Sequence, residues 1–327
     1  MLGVTRRPET YLRVSSRRRR ELCSRLPDGR AYWRRVTVRE AGGSMRRTGI
    51  GLCLTLLAAL GFARVAAAVE DKAASKPVGS LEITWLGQSA MRITTPGGKV
   101  VMIDPFVTQN PKTPAEWKDL KRLGHLDLIL VTHGHLDHVG DTFELSRMND
   151  ARVYAPAGLI DTFTTLGLLD PAHAPKMNKG GTVKPLGPDI AISMVHADHS
   201  SEFLHIDPFT GKPFSYPGGE PVGYIIRLEN GFTIYHMGDT AVFSDMRLIA
   251  EMYHPDLVMI PIGGNYTMDP QGAAYALRAY LRPRYAIPMH YGTTPLLKGT
   301  PEELIRAMGP NISTTIVVMK PGETRSF

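Results

Sequence analysis

The chain has 327 residues, with 38 Lys and Arg against 31 Asp and Glu, enough for one large domain or two small ones. Its +7 charge is carried by the N-terminal part: residues 1–44 hold 12 Arg and 4 acidic residues, 45–68 add three Arg, and 69–327 keep 23 basic and 27 acidic side chains. A mildly acidic body excludes the basic-surface argument for nucleic acid, and because Cys23 and Cys53 both lie upstream of it, it can have no disulfide, thiolate ligand or thiol nucleophile.

Residues 1–44 are Arg-rich, include Arg17–Arg20, and show no apolar periodicity. They read as a misannotated extension or, alternatively, a disordered basic arm. From Met45 the pattern changes. Arg46 and Arg47 form a positive start, Ile50 to Phe62 an apolar core, and Ala66-Ala67-Ala68 a small-residue cleavage site. Residues 45–68 therefore read as a cleavable signal peptide that sends the chain to the periplasm or outside the cell. The apolar run is short for a membrane span, so none is expected after cleavage; an uncleaved anchor is the alternative. The arginine pair leaves Sec and twin-arginine export both open. Residues 69–80 are small and polar, a linker to a domain over 81–327.

Within that domain, Leu81–Leu86, Ala90–Thr95 and Lys99–Asp104 are short runs rich in Ile, Val and Thr, broken by glycine and proline, as strands are. Leu126–Thr132 is continuously apolar, which fits a strand buried on both faces. Helices are expected over Asp141–Met148, Leu159–Leu168, Ser244–Met252, Pro270–Leu281 and Pro301–Met308. Strands are expected over Ala151–Ala155, Ile190–His196, Gly223–Leu228, Phe232–Met237, Leu257–Ile262, Tyr285–Met289 and Thr314–Met319. The order, β-rich then mixed and again β-rich then mixed, predicts two packed sheets with helices outside. Residues 200–221 read as a long loop, either a lid or substrate wall or a structured surface excursion.

The chemistry concentrates in Thr132-His133-Gly134-His135-Leu136-Asp137-His138. Three imidazoles and a carboxylate follow a buried strand at once, and imidazole with carboxylate suits zinc and similar ions. His133 and His135, at alternate positions, can converge on one ion, with Asp137 and His138 turned to a second. His125, His173, His205 and His254 stand alone and read as surface or structural residues.

The run H-x-H-x-D-H after a strand resembles the signature of the metallo-β-lactamase superfamily. Ile103-Asp104-Pro105, Ala197-Asp198-His199-Ser200-Ser201, His236-Met237-Gly238-Asp239-Thr240 and Pro288-Met289-His290-Tyr291-Gly292-Thr293 resemble its other motifs in order. Trp85-Leu86-Gly87, Ile103-Asp104-Pro105-Phe106, Gly218-Gly219-Glu220-Pro221-Val222-Gly223-Tyr224 and Pro261-Ile262-Gly263-Gly264-Asn265-Tyr266-Thr267-Met268 are similar to a bacterial metal-dependent hydrolase branch. That branch is related to ascorbate-6-phosphate lactonase and, more distantly, to N-acylphosphatidylethanolamine phospholipase D. The resemblance covers about residues 81–325 and implies an α/β fold, the αββα four-layer sandwich.

It also implies a ligand set. His133, His135 and His199 would hold one divalent ion, Asp137, His138 and His290 a second, and Asp239 would bridge them. Spacing leaves His196 open beside His199, and the A-x-H-S-S similarity selects His199; His196 is then a packed strand residue. Asp104 and His236 are expected behind the ligands, orienting them. There is one departure: relatives usually carry a histidine where this chain has Gln88.

The implied activity is hydrolysis of an ester-type bond in a small molecule (a lactone, carboxylic ester or phosphodiester) by a hydroxide shared between two ions, zinc first, with manganese or iron(II) as alternatives. Asp137 and Asp239 are the catalytic candidates, and Asn265, Tyr266, Tyr291 and Thr293 the candidates for substrate contact. An iron site doing oxidative chemistry on the same fold, or a metal pocket that only binds, are the competing readings.

Overall fold

A computed structural model describes residues 10–15, 19–25, 31–36, 79–207, 210–310 and 312–327. The expected signal peptide at 45–68, and the linker up to residue 78, lie outside them. The chain divides into two units, 1–69 and 70–327. In the first, β1 (Thr10–Ser15), β2 (Arg19–Arg25) and β3 (Ala31–Val36) form an antiparallel sheet in that order, with Tyr11 opposite Cys23 and Cys23 opposite Trp33. The sequence reading has no regular element here. The strand-favouring Tyr11, Val14, Tyr32, Trp33 and Val36 are scattered among the arginines, which hides their pattern.

The second unit is built on two seven-stranded sheets. The first contains β4 (Glu82–Gly87), β5 (Ala90–Thr94), β6 (Val100–Ile103), β7 (Leu128–Leu130), β8 (Arg152–Pro156) and β9 (Lys176–Met177) in succession, with β19 (Thr324–Ser326) on the outer side of β4. The second runs β10 (Thr182–Val183), β11 (Ala191–His196), β14 (Val222–Arg227), β15 (Thr233–His236), β16 (Leu257–Pro261), β17 (Tyr285–Met289) and β18 (Thr315–Ile316).

Alternation along the strands makes the layers. Leu128 and Leu130 of β7 meet Leu257 and Met259 of β16 in one buried cluster between the sheets. Ile129 points the other way, into a second cluster with Leu145 of α2 (Thr142–Asn149) and Ile160 and Phe163 of α3 (Ala157–Thr165). Val258 and Ile260 likewise face Met246 and Ile249 of α4 (Met246–Tyr253), Ala273 of α5 (Pro270–Tyr275) and Leu304 of α6 (Pro301–Met308). Three clusters separate four layers, helices outside and sheets within, as the four-layer expectation has it. Local chemistry sets the helix starts: Thr300 and Glu303 form a reciprocal capping box ahead of α6, and Asp269 accepts the Gly272 N–H ahead of α5.

The stretch 200–221 differs from the expected loop. It folds as a hairpin of β12 (Glu202–Ile206) and β13 (Pro213–Pro217), with Phe203 opposite Tyr216. Its strand period is obscured because Leu204 and Ile206 on one face and Phe214 on the other are apolar yet exposed, so polar and apolar residues do not alternate. The expected strand Thr314–Met319 shortens to Thr315–Ile316, and the expected helix over Pro270–Leu281 passes into a wider π-type coil from Ala276. Among the described residues no helix is long and apolar enough to cross a membrane.

Candidate metal centre

Strands β6, β7, β15, β16 and β17 end at one edge of the sandwich, where β6 to β7 and β15 to β17 run parallel within their sheets. Their C-terminal ends release Asp104, the His133–His138 run, Asp239 and His290, and β11 leads to His199. This is why motifs far apart in the chain converge: parallel strands bring their following loops to one side. Three backbone hydrogen bonds stitch the edge, Asp104 N–H to the Leu130 carbonyl, Val222 N–H to Thr132, and His290 N–H to Gln88.

All seven expected ligands come together here. His133, His135 and His199 form one trio of potential ligand atoms, Asp137, His138 and His290 another, and His133, His138 and Asp239 a third that links the two. Asp239 stands between them: its Oδ2 is 2.9 Å from His290 Nε2, 3.3 Å from His138 Nε2 and 3.7 Å from His199 Nε2. Besides His290 Nδ1, two buried atoms in the cluster, His138 Nε2 and Asp239 Oδ1, have no hydrogen-bond partner. Orphaned buried polar atoms of this kind are costly unless something pairs with them, and a cation suits both.

The rings are held from behind. The Asp104 carboxylate, fully buried, accepts from Thr132 N–H (2.8 Å), Thr132 Oγ1–H (2.7 Å) and His138 Nδ1–H (2.8 Å). Since the Thr132 hydroxyl donates to Asp104, it accepts from His133 Nδ1–H at 3.0 Å. Both imidazoles are thus fixed as the tautomer that presents Nε2 to the cluster. His135 uses its other face: Nδ1 lies 2.9 Å from His133 Nε2, while Nε2 meets Glu202 Oε2 at 3.2 Å. Thr132 and Glu202 were not singled out from sequence, although each adjoins a motif residue.

His236 belongs to the turn, not to the ligand trios. Its Nε2–H donates to the Ser89 carbonyl (3.0 Å) and its Nδ1 accepts from Gly238 N–H (3.3 Å), so it props the Gly238-Asp239 turn. Burial holds its imidazole below the usual range. Gly238, at φ 62, has no room for a side chain against Val222 and Thr132. Gln88, Asp104 and His290 also take positive φ (50, 46 and 55), a clustering of strained backbone at the site.

His196 is not in the cluster; it is exposed at the end of β11 against Phe243, where the sequence reading expects a packed residue. Asn265 and Tyr266 are exposed on the Gly264–Met268 turn, which is tied to the turn after Asp239 by Met268 N–H to the Thr240 carbonyl. Tyr291 stacks at a tilt on Trp85, centroids 5.2 Å apart, and Thr293 is buried with its hydroxyl unpaired. Gly218 and Gly263 are sites where a side chain would strike the backbone of Ser201 and His290.

Charge is balanced within the cluster. Burial works against protonated His138, but Asp239, Asp104 and Asp137 outweigh it and hold that ring well above the usual range. Burial likewise opposes the charged form of His290, and Asp239 and Asp137 still raise it from 6.5 to about 9. Burial opposes Asp239 ionisation too, and His138 and His290 hold it well below the ordinary carboxylate range. His133 goes the other way, lowered by burial and by the His138 charge.

At neutral pH the metal-free centre therefore carries protons on His138 and His290, and an entering cation must displace them. Uptake at pH 7 should release protons, and affinity should climb as pH rises toward 9. Because His290 is raised on folding, its stabilisation of the metal-free fold is complete below about pH 6.5 and is lost as pH rises through about 9. The melting temperature of the metal-free protein should fall over that window while that of the loaded protein holds. Calorimetric titration in buffers of different ionisation heat checks the first point; uptake without proton release would contradict it.

Comparison with known proteins gives the family. The β-lactamase superfamily domain profile matches residues 99–291. A UPF0173 metal-dependent hydrolase of Polaromonas sp. (strain JS666) is 54% identical over 254 residues, 78% of this chain and 92% of its own. One from Cupriavidus necator is 51% identical over 289 residues, 86% of this chain and 100% of its own. Among solved structures, Igni18, a metallo hydrolase of the hyperthermophilic archaeon Ignicoccus hospitalis, aligns with a TM-score of 0.64 at 32% identity over 76% of this chain and 98% of that one.

Proposed function

The chain belongs to the metallo-β-lactamase superfamily and to its UPF0173 metal-dependent hydrolases, and from that premise we propose that it cleaves an ester-type bond of a small molecule at two neighbouring cations. The observation that carries this reading is the pair of ligand trios with Asp239 between them. Two divalent ions held there would lower the pKa of water to about 7 and polarise a carbonyl or phosphoryl oxygen. Zinc suits the imidazole-rich set best, with manganese or iron(II) as alternatives.

The chain's own groups supply the rest. Asp137 is the one carboxylate of the set open to solvent, its side chain 37% exposed against 3% for Asp239. It can orient the attacking water and carry its proton to the leaving oxygen. Asp104, Thr132 and His236 hold the ligands and the Asp239 turn still while this happens.

Beside Gln88 opens a cavity of about 430 Å³, lined among others by Trp85, Tyr291, Thr293, Lys112, Lys298 and Lys320. Its volume suits a small organic molecule. The aromatic pair offers a flat wall, and the three lysines, against the one carboxylate of Glu302, favour a substrate that carries a carboxylate or phosphate away from the cleaved bond. The test is a panel of lactones, carboxylic esters and phosphodiesters with zinc- and manganese-loaded protein, each ester in an acidic and a neutral version. Turnover with a lower KM for the acidic members is expected. Silence across the panel, or oxygen uptake by an iron-loaded form, would contradict the ester reading.

A further inference from the structure

We propose that Gln88 is itself a metal ligand, giving its side-chain carbonyl oxygen to the cation held by Asp137, His138 and His290. The inference rests on the two-cation reading above and adds to the ligand set one residue of a type that the motif does not include.

Gln88 occupies the tight turn between β4 and β5, buried to 2% exposure, in the left-handed region at φ 50. Its backbone is clamped there: the Gln88 carbonyl accepts from Trp85 Nε1–H and from His290 N–H, each at 3.0 Å. A strained backbone held by two hydrogen bonds fixes where the side chain goes. The side chain goes into the ligand cluster, where its amide Nε2–H donates to Asp137 Oδ2 at 2.8 Å and lies 2.7 Å from His290 Nε2.

Those distances are hydrogen-bond distances in the metal-free centre, and they put the amide in direct contact with two ligand atoms. Atoms that bind one ion at about 2.0–2.2 Å stand about 3.0–3.6 Å from one another, from octahedral to tetrahedral geometry. His290 Nε2 to Asp239 Oδ2 is 2.9 Å and His138 Nε2 to Asp239 Oδ2 is 3.3 Å. The amide end of Gln88, at 2.7 and 2.8 Å, meets the face of the ligand atoms that a cation would use, unlike Asp104, which reaches His138 through its far nitrogen.

The chemistry of the contact points the same way. The lone pair of His290 Nε2 is the one that would bind a cation, so an amide N–H cannot share it once an ion is present. A half-turn of the carboxamide exchanges its two ends and brings Oε1, otherwise buried without a partner, onto the cluster. A carbonyl oxygen, a carboxylate oxygen and an imidazole nitrogen can converge at such distances only around a positive charge. An amide oxygen is a hard, neutral donor, so this ion gains a coordination position without further charge neutralisation.

The test is titration of the metal-free full-length protein with Co²⁺, following heat and visible absorption. Wild type should bind two ions in two steps. In Gln88→Leu, which keeps most of the volume, one step should weaken by about tenfold or more while the other is unchanged, and cobalt absorption should intensify as the coordination number falls. Gln88→Glu should bind as tightly as wild type or tighter, because a carboxylate oxygen replaces the carbonyl.

If Gln88 only donates an N–H to Asp137, Gln88→Glu would set two carboxylates against each other and weaken binding as much as Gln88→Leu; that result overturns the proposal. So does an unchanged affinity and spectrum in Gln88→Leu. Wild type taking up fewer than two ions would instead defeat the two-cation reading, and this one with it.

Discussion

Asp239→Ala is expected to lower turnover by about 10³-fold or more and to leave the protein with at most one tightly bound ion. The reason lies in position. Asp239 Oδ2 is within 3.7 Å of ligand nitrogens from both trios, and its other oxygen is buried and unpaired. Asp137 is within 3.8 Å of His138 and His290, both in the second trio. Removing the central carboxylate also leaves the imidazoles crowded together without the negative charge that offsets them. Asp239→Asn keeps the shape and separates charge from packing; it should load metal poorly despite a native fold. Steady-state kinetics with metal analysis of the same samples checks the prediction. A variant that keeps more than a tenth of wild-type turnover would contradict it.

The second large effect is expected at Asp104, which touches no ion. Asp104→Ala leaves three buried donors unpaired: Thr132 N–H, Thr132 Oγ1–H and His138 Nδ1–H. Each unpaired buried group costs about 1–3 kcal/mol, so the metal-free protein should lose several kcal/mol of stability. The rings of His133 and His138 also lose the relay that fixes their tautomers, and metal affinity should fall about 10–100-fold. Asp104→Asn can still accept from Thr132 and should fall between. Denaturant unfolding of the metal-free protein and metal titration measure the two effects separately; a loss under about 1 kcal/mol with unchanged affinity would show that Asp104 is not the brace described.

Much of this centre was legible in the sequence because it is built from strand ends. A buried apolar run such as Leu128–Leu130 announces a core strand, and ligating residues placed directly after it must emerge at the sheet edge. The same logic applies to Asp104 after β6, Asp239 after β15 and His290 after β17. The layered fold was legible for the same reason, since alternate residues of β7 and β16 separate cleanly into inner and outer clusters.

What stayed hidden depends on contacts between segments far apart in the chain. Nothing near Gln88 in sequence says that its amide will lie against Asp137 and His290, 49 and 202 residues away. Glu202 reaches His135 only because Ser200 to Ile206 turns into a hairpin that its apolar outer face disguised. The choice of His199 over His196 came from resemblance, not spacing; in space the two separate because β11 ends at His196 and the chain then bends toward Thr240 through the Asp198 N–H.

The most direct test is a crystal structure of the zinc- or manganese-loaded protein with ions located by anomalous scattering. The account predicts two peaks about 3.5–4 Å apart, one among His133, His135 and His199, the other among Asp137, His138 and His290, with Asp239 reaching both. A single peak, or ions bound away from these seven side chains, would contradict it.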